Sequence, residues 1–262
     1  MCGIAGLLGP DGDDPKMAFS MASLLNHRGP DGTRSWAEPC SNGGVGFGHT
    51  RLSIVDISGS DQPLHSDDGC VLIVNGEIYN HQHIRNQERS FQFRTKGDGE
   101  AILAAYSART DEFSWVQSLD GIWAFALWDS NREKLILCRD RLGVKPLVRT
   151  VTDQGTLLFG SEVKSLRAHP GHKPKLDLDA LVARIAYEYP LDETTLFEGV
   201  HSVRPGTIEI WKLKEECAKI EEVHHWVDDT SDNVNQSWLP QKDAGPLLES
   251  LTQSVANRLM SD

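Results

Sequence analysis

The chain has 262 residues, 39% of them hydrophobic and 24% charged, with a formal net charge of −12. That length and composition fit one large domain, or one domain with an appendage, and give material for a real core. The acidic balance excludes nucleic acid and anionic membrane surfaces as partners, since phosphate binding needs a dense basic patch.

Other classes fall away on inspection of the ends and the cysteines. No run approaches the eighteen or so apolar residues of a spanning helix, and no basic segment followed by an apolar run opens the chain as a signal peptide would. The five cysteines are widely spaced without a Cys-x-x-Cys, so neither a disulfide framework nor a metal site is expected. The cytoplasm is the default compartment.

In chain order, the first stretch is Met1-Cys2-Gly3-Ile4. Initiator methionine is normally trimmed before a small residue, so the mature chain is expected to begin at Cys2. One residue would then carry a thiol, titrating near ~8.5, and an α-amine near ~7.7–8.0, and at neutral pH the amine can take the thiol proton. A nucleophile activated by its own chain terminus is an established form of covalent catalysis. On position alone, the favoured reading of Cys2 is the simpler one, a small residue opening a buried strand over Gly3–Leu8.

Asp14-Pro15 reads as an N-cap with proline at the first helical position. Met17, Met21, Leu24 and Leu25 recur at helical spacing, and the turn string His27-Arg28-Gly29-Pro30-Asp31-Gly32 ends that helix. Arg28 and Asp31 are placed to pair across the loop, and His27 reads as structural. The glycine-rich run Gly43–Gly48 lacks the lysine and helix of a phosphate loop, and His49–Val55 reads as the strand that it leads into. Arg51 inside that strand is either a paired structural ion or a carboxylate-binding fork.

Val71–Val74 is a short apolar strand ending in Asn75-Gly76-Glu77. Asn-Gly at a strand end ordinarily makes a hairpin turn, yet Ile78–His81 continues into a helix start with Asn80 as cap. An amide and a glycine N–H at the end of a buried strand are also donors of the oxyanion-hole type. Asp98 and Glu100 open an apolar helix, Ala101–Tyr106, where acidic residues suit the helix dipole. Leu119–Asp129 reads as a strand buried on both faces, with Lys134–Arg139 as its partner across a turn, which implies layers above and below the sheet. Thr156–Phe159 is a further strand, and Ser161 is expected to cap a short helix through Leu166. Beyond Leu176 come a helix marked by Leu178, Leu181, Val182 and Ile185, a strand over Thr207–Trp211, and a polar crossing from Asp228 to Lys242. His224 and His225 are adjacent, hence on opposite faces of a strand, and make a poor metal pair. A last amphipathic helix carries Leu247, Leu248, Leu251, Val255 and Leu259 on one stripe.

Five segments together carry a resemblance: Met1–Ile4, His27–Gly32, Arg51-Leu52-Ser53-Ile54-Val55-Asp56, Asn75-Gly76-Glu77-Ile78-Tyr79-Asn80 and Arg139–Pro146. In this order and spacing they resemble the N-terminal glutaminase domain of glutamine-hydrolysing asparagine synthetases, a class II glutamine amidotransferase of the N-terminal nucleophile hydrolase superfamily. The resemblance implies an α+β fold, a four-layer α/β/β/α sandwich with mainly antiparallel sheets. It implies Cys2 as nucleophile with its α-amine as base, and Asn75 and Gly76 as oxyanion donors. The substrate L-glutamine would be bound by Arg51, Leu52, Ser53, Ile54, Val55, Asn75, Gly76, Glu77 and Asp98, with Arg51 forking onto the α-carboxylate.

The chain departs from the family pattern at Gly99, at Leu147-Val148-Arg149, where a tyrosine pair is usual, and at Gly160. By the same resemblance, residues 1–212 are the amidotransferase domain with a core over 1–170. Residues 213–242 would be a linker, and 243–262 the first helix of a synthetase domain. This chain itself needs no cofactor, whereas ATP and Mg are expected for that synthetase domain, in the longer chain or in trans. A homodimer stays open, as do an ammonia acceptor other than aspartate and a non-catalytic interaction module should the Cys2 amine be blocked.

Overall fold

The computed structural model describes residues 1–54, 56, 59–226 and 240–259. Val55 and most of the polar crossing from Asp228 onward lie outside the described residues. Twelve strands among those described form two six-stranded sheets in which neighbouring strands pair antiparallel.

The first sheet contains β1 (Gly3–Gly9), β2 (Gly32–Cys40), β3 (Gly43–Arg51), β8 (Val148–Val151), β9 (Leu157–Gly160) and β10 (His201–Ser202), in the order β10-β8-β9-β1-β3-β2. The second contains β4 (Leu64–His65), β5 (Cys70–Ile78), β6 (Gly121–Asp129), β7 (Lys134–Arg139), β11 (Thr207–Lys214) and β12 (Cys217–His225), in the order β12-β11-β7-β6-β5-β4. The helices are α1 (Pro15–Ser23), α2 (His81–Gln87), α3 (Glu100–Ser107), α4 (Val163–Leu166), α5 (Leu178–Tyr187) and α6 (Pro240–Asn257).

Three hydrophobic clusters correspond to the three interfaces of a four-layer α/β/β/α sandwich. Ile4, Leu8 and Phe47 of the first sheet meet Val71, Ile73, Ala124 and Ala126 of the second. Ala5, Leu7 and Leu158 turn the other way, onto Ala18 and Met21 of α1 and Leu166 of α4. Leu72, Val74 and Phe125 face Ile102 and Leu103 of α3. The period of two along each strand sends alternate side chains into two separate cores, so β1 and most of β6 are buried throughout.

Several local readings change in the folded chain. The glycine-rich run belongs to β3 itself, because α1 lies directly on it: a Cβ at Gly48 would come within 2.3 Å of the Ala18 carbonyl oxygen. The strand then stops at Arg51, so Leu52 and Ile54 are loop. Asn75-Gly76 makes no hairpin. β5 runs straight through it, pairing Asn75 with Ala124 and Gly76 with Trp123. Asn80 stands at the start of α2 without capping it, and instead its amide bonds Ser118 O and Asp120 N. Residues 213–225, assigned by sequence to the linker, complete β11 and form β12. His224 there stacks on Phe113, while His225 bonds the Thr207 hydroxyl.

Between the sheets, His49 of β3 is 2% exposed, and burial holds its imidazole down to about 3. The unfolded chain binds a proton at this residue below about 6.5, whereas the folded chain does not until near 3. Stability therefore falls as pH drops through that window. His49→Gln is expected to flatten the fall of Tm between pH 6.5 and 3, read by thermal melts across the range.

Candidate functional site

Face-to-face packing of the sheets places the start of β1 beside the middle of β5, and a cleft opens there. Of the residues singled out by sequence, Cys2, Arg51, Leu52, Ile54, Asn75, Gly76, Glu77 and Asp98 line it. Ser53 does not, since its backbone N–H is turned to the Asp31 carboxylate at 2.7 Å. Asp31 is thereby engaged without Arg28, and the expected pairing of those two is replaced by Arg28 with Glu162 at 2.9 Å.

Cys2 is half-buried just before β1 begins. Its sulfur accepts the Leu52 N–H at 3.4 Å, with the Leu52 carbonyl oxygen at 3.7 Å. Burial pushes the thiol up from its ordinary value, opposed by the Leu52 backbone and the neighbouring terminal amine. A thiol raised in this way is protonated at neutral pH and needs a base before it can attack anything. In the full chain that amine belongs to Met1, which also lines the cleft, and burial lowers it from the usual amine value.

In the same cleft, Asn75 is 1% exposed, and its Nδ2 has no hydrogen-bond partner among the described residues. An orphaned buried donor costs roughly 1–3 kcal/mol. Such a cost is tolerated where a bound molecule supplies the acceptor. Gly76 is next, and only glycine fits there: a Cβ would approach the Ile122 carbonyl oxygen to 2.3 Å. The strand is held beside this point by Gln62, whose amide bonds both Val74 N and Val74 O, at 2.6 and 3.1 Å.

Charges of both signs line the cleft. Arg51 is 9% exposed, with its guanidinium on Asp61 at 3.0 Å and on the Asp56 carbonyl at 2.6 Å. Arg51 is thus ion-paired, and it also lines the cleft. The Asp98 carboxylate accepts the Ile78 N–H at 2.7 Å. Burial raises both Asp98 and Glu77 above the usual carboxylate range. Glu100 points elsewhere, buried and bonded to the backbone of Arg94 and Thr95. Among the described residues no group of three histidine, cysteine or acidic side chains is placed to hold a metal ion.

Sequence reasoning missed Gln62, Ser60 and Lys145, all of which line the cleft. The signal for Lys145 was its motif. The Asp140 carboxylate, 1% exposed, accepts the backbone N–H groups of Trp123, Leu142, Val144 and Lys145 at 3.0–3.2 Å. Arg139 meanwhile donates to the carbonyls of Gly143, Lys145 and Val203. The two side chains lock a loop that delivers a buried lysine to the cleft, and Lys145 acts electrostatically on Glu77 and on the terminal amine. Ser161, expected to cap α4, instead accepts the Ile4 N–H at 3.0 Å.

A model of the glutamine amidotransferase domain family matches residues 1–225. Asparagine synthetase [glutamine-hydrolyzing] 3 of Bacillus subtilis is 37% identical over 220 residues, covering 79% of this chain and 34% of its own length. Asparagine synthetase B [glutamine-hydrolyzing] of Escherichia coli is 39% identical over 171 residues, 63% of this chain and 30% of its own. Amidase chry2 of Gibberella zeae is 41% identical over 186 residues, 70% of this chain and 26% of its own. The chain thus spans about a third or less of the length of these relatives. Among solved structures, a glutamine phosphoribosylpyrophosphate amidotransferase from B. subtilis superposes with a TM-score of 0.59 at 18% identity, over 84% of this chain and 49% of that one, which establishes a shared fold.

Removing the Asp140 carboxylate takes the acceptor from four backbone N–H groups, those of Trp123 and Lys145 in buried bonds, and each buried unsatisfied group costs roughly 1–3 kcal/mol. Asp140→Ala is therefore expected to cost at least about 3 kcal/mol, read as a Tm lowered by roughly 6–12 °C. A melt unchanged within about 2 °C would show that this loop does not depend on the carboxylate.

Proposed function

The chain belongs to the class II glutamine amidotransferase family, as a domain homologous to the glutaminase part of asparagine synthetases, and from that premise we propose that it hydrolyses L-glutamine to L-glutamate and ammonia through a thioester on Cys2. The observation that carries the reading is the orphaned Nδ2 of Asn75 in the same cleft as the Cys2 sulfur, Arg51 and Asp98.

The proposed chemistry uses these groups as follows. Once Met1 is removed, the Cys2 nitrogen is a free amine on the same residue as the thiol. It takes the thiol proton, and the thiolate attacks the side-chain amide carbon of glutamine. A C–S bond forms as the carbonyl electron pair moves onto oxygen. Asn75 Nδ2 and the Gly76 N–H receive that oxyanion, a contribution worth roughly 10²–10³ in rate per donor. Collapse breaks the C–N bond, and the ammonium of Cys2 returns its proton to the departing ammonia. Water, giving a proton to the same amine, then adds to the thioester, and cleavage of the C–S bond releases glutamate and restores the thiol.

Substrate recognition divides along the charges of the cleft. Arg51, fixed by Asp61, takes the α-carboxylate as a planar fork. Asp98 and Glu77 take the α-ammonium, and a cation arriving there repays the desolvation that raises both carboxylates. Leu52 holds the sulfur, and Ile54 adds to the wall of the cleft.

The ammonia acceptor is assigned to a separate module, an ATP-dependent synthetase acting on aspartate in the cytoplasm. Two features support a further module. Leu178, Val182 and Ile185 of α5 are 66–74% exposed, and Leu247, Leu248, Leu251 and Val255 of α6 are 52–63% exposed, so two apolar helix faces stand uncovered. The matches cover only 34% and 30% of these relatives, so about two thirds of each lies outside the matched part. We place the amidotransferase domain from residue 1 to the end of β12 and assign α6 to the start of the synthetase module. No helix among the described residues is long and apolar enough to cross a membrane.

With the Cys2 N-terminus verified by intact mass, the chain is expected to release glutamate from glutamine without ATP. Cys2→Ala is expected to abolish release, Asn75→Ala to lower kcat by roughly 10²–10³, and Arg51→Ala to act mainly on KM. An inactive chain with a verified Cys2 terminus would overturn the reading. In the form that keeps Met1, iodoacetamide alkylation of Cys2 against pH should show a midpoint above the ~8.5 of a free thiol.

A further inference from the structure

The amine at Cys2 can serve as base only if it stands in one place relative to the sulfur, and the structure has a device for that outside the cleft. β1 begins at Gly3, whose ladder partner is Thr50, so Cys2 lies ahead of the strand. Its carbonyl is taken instead by Arg28, whose Nε donates at 3.0 Å. The Arg28 side chain is 9% exposed, and its Nη1 donates to Glu162 Oε1 at 2.9 Å.

Glu162 is itself held from two further sides. His27 Nε2 lies 3.0 Å from Oε1, and Lys164 Nζ lies 3.3 Å from Oε2. These bonds hold the Glu162 carboxyl down to about 2, so it is ionised at any working pH. Its neighbour Ser161 grips the strand two residues beyond Cys2, accepting the Ile4 N–H at 3.0 Å and donating its own N–H to the Ile4 carbonyl at 2.8 Å. The turn between β9 and α4 thus holds the start of β1 at three points: Ile4 N, Ile4 O and, through Arg28, Cys2 O.

Stereochemistry does the rest. Arg28 fixes the plane of the Cys2–Gly3 peptide, and Leu52 fixes the sulfur. With the carbonyl and the side chain both anchored, the tetrahedral Cα leaves the nitrogen of Cys2 one direction in which to point. We propose that Glu162 is a positioning residue: by holding Arg28 on the Cys2 carbonyl, it sets where the terminal amine stands relative to Sγ. This inference rests on the glutaminase reading for its kinetic consequence, but its geometric content is independent of it. Neither Arg28 nor Glu162 lines the cleft, which separates this role from glutamine binding.

The test compares wild type, Glu162→Gln, Glu162→Asp and Arg28→Lys, each with the Cys2 terminus verified by mass. Misplacing a reacting group by about 1 Å costs on the order of 10²-fold. Glu162→Gln is therefore expected to lower kcat by roughly ten- to a hundredfold with KM for glutamine within about threefold. Arg28→Lys, which keeps the charge but loses the Nε donor, should lose kcat similarly, and Glu162→Asp should recover part of it. Alkylation of Cys2 by iodoacetamide, monitored by mass from acid to alkaline pH, should show a changed profile in Glu162→Gln, because a displaced amine perturbs its thiol differently.

Outcomes separate cleanly. A Glu162→Gln variant with unchanged kcat and an unchanged alkylation profile overturns the inference, as does a loss confined to KM. A loss as large in Glu162→Asp as in Glu162→Gln, matched by the same fall in Tm, would mark Glu162 as structural only and equally overturns it. If wild type hydrolyses no glutamine, the glutaminase reading fails, and the alkylation profiles alone then decide the role of Glu162.

Discussion

The packing of one antiparallel sheet on the other is the constraint on which the cleft depends. The thiol is carried at the start of β1 in the first sheet, and the amide of Asn75 sits on β5 in the second. Neither sheet has both. Their separation is set by the side chains between them, Ile4, Leu8 and Phe47 against Val71, Ile73 and Ala124. Interiors of this kind are close-packed and resist small displacements, so the core behaves as a rigid spacer between two halves of a reactive site.

On that spacer the chain places groups that are individually unfavourable. A buried amide donor lacks a partner among the described residues, a thiol is raised by desolvation, and two carboxylates are raised likewise. Each is tolerated because the surroundings over-determine its position: Gln62 straps Val74 beside Asn75, the Leu52 backbone holds the sulfur, and the Ile78 N–H holds Asp98. On the proposed glutaminase reading, these groups gain further partners when a zwitterionic amide substrate arrives. On that reading its carboxylate, ammonium and amide carbonyl would meet, in order, Arg51, the acidic pair and the amide donor.

The supports lie in the loops. Asp140 folds the loop carrying Lys145, and the Ser161-Glu162 turn grips the first residues of β1. Loops that carry function on a rigid scaffold need such internal bracing, since no ladder provides it. This division also explains why the apolar faces of α5 and α6 play no part in the cleft. They are exposed rather than packed into the sandwich, and they suit contact with another module.

Local pattern was enough for the elements that read the same in isolation as in the fold. β1, the Asp14-capped start of α1, the two-sided β6 with its partner β7, and the amphipathic α5 emerge from period and capping chemistry. Five short motifs in order pointed to the family, and of the residues assigned to the site only Ser53 points away from the cleft and only Val55 lies outside the described residues. What local pattern misread was set by contacts distant in sequence. Asn75-Gly76 carries a hairpin signal, but β6 offers a ladder on one side and leaves no room for a Cβ, so the strand continues. Ser161 and Glu162 look like a helix start, yet their side chains are claimed by Ile4 and Arg28, far back along the chain. Periodicity records which side of an element is apolar. Only the assembled sandwich decides which polar groups face each other across it, because those pairings join segments that the chain itself holds far apart.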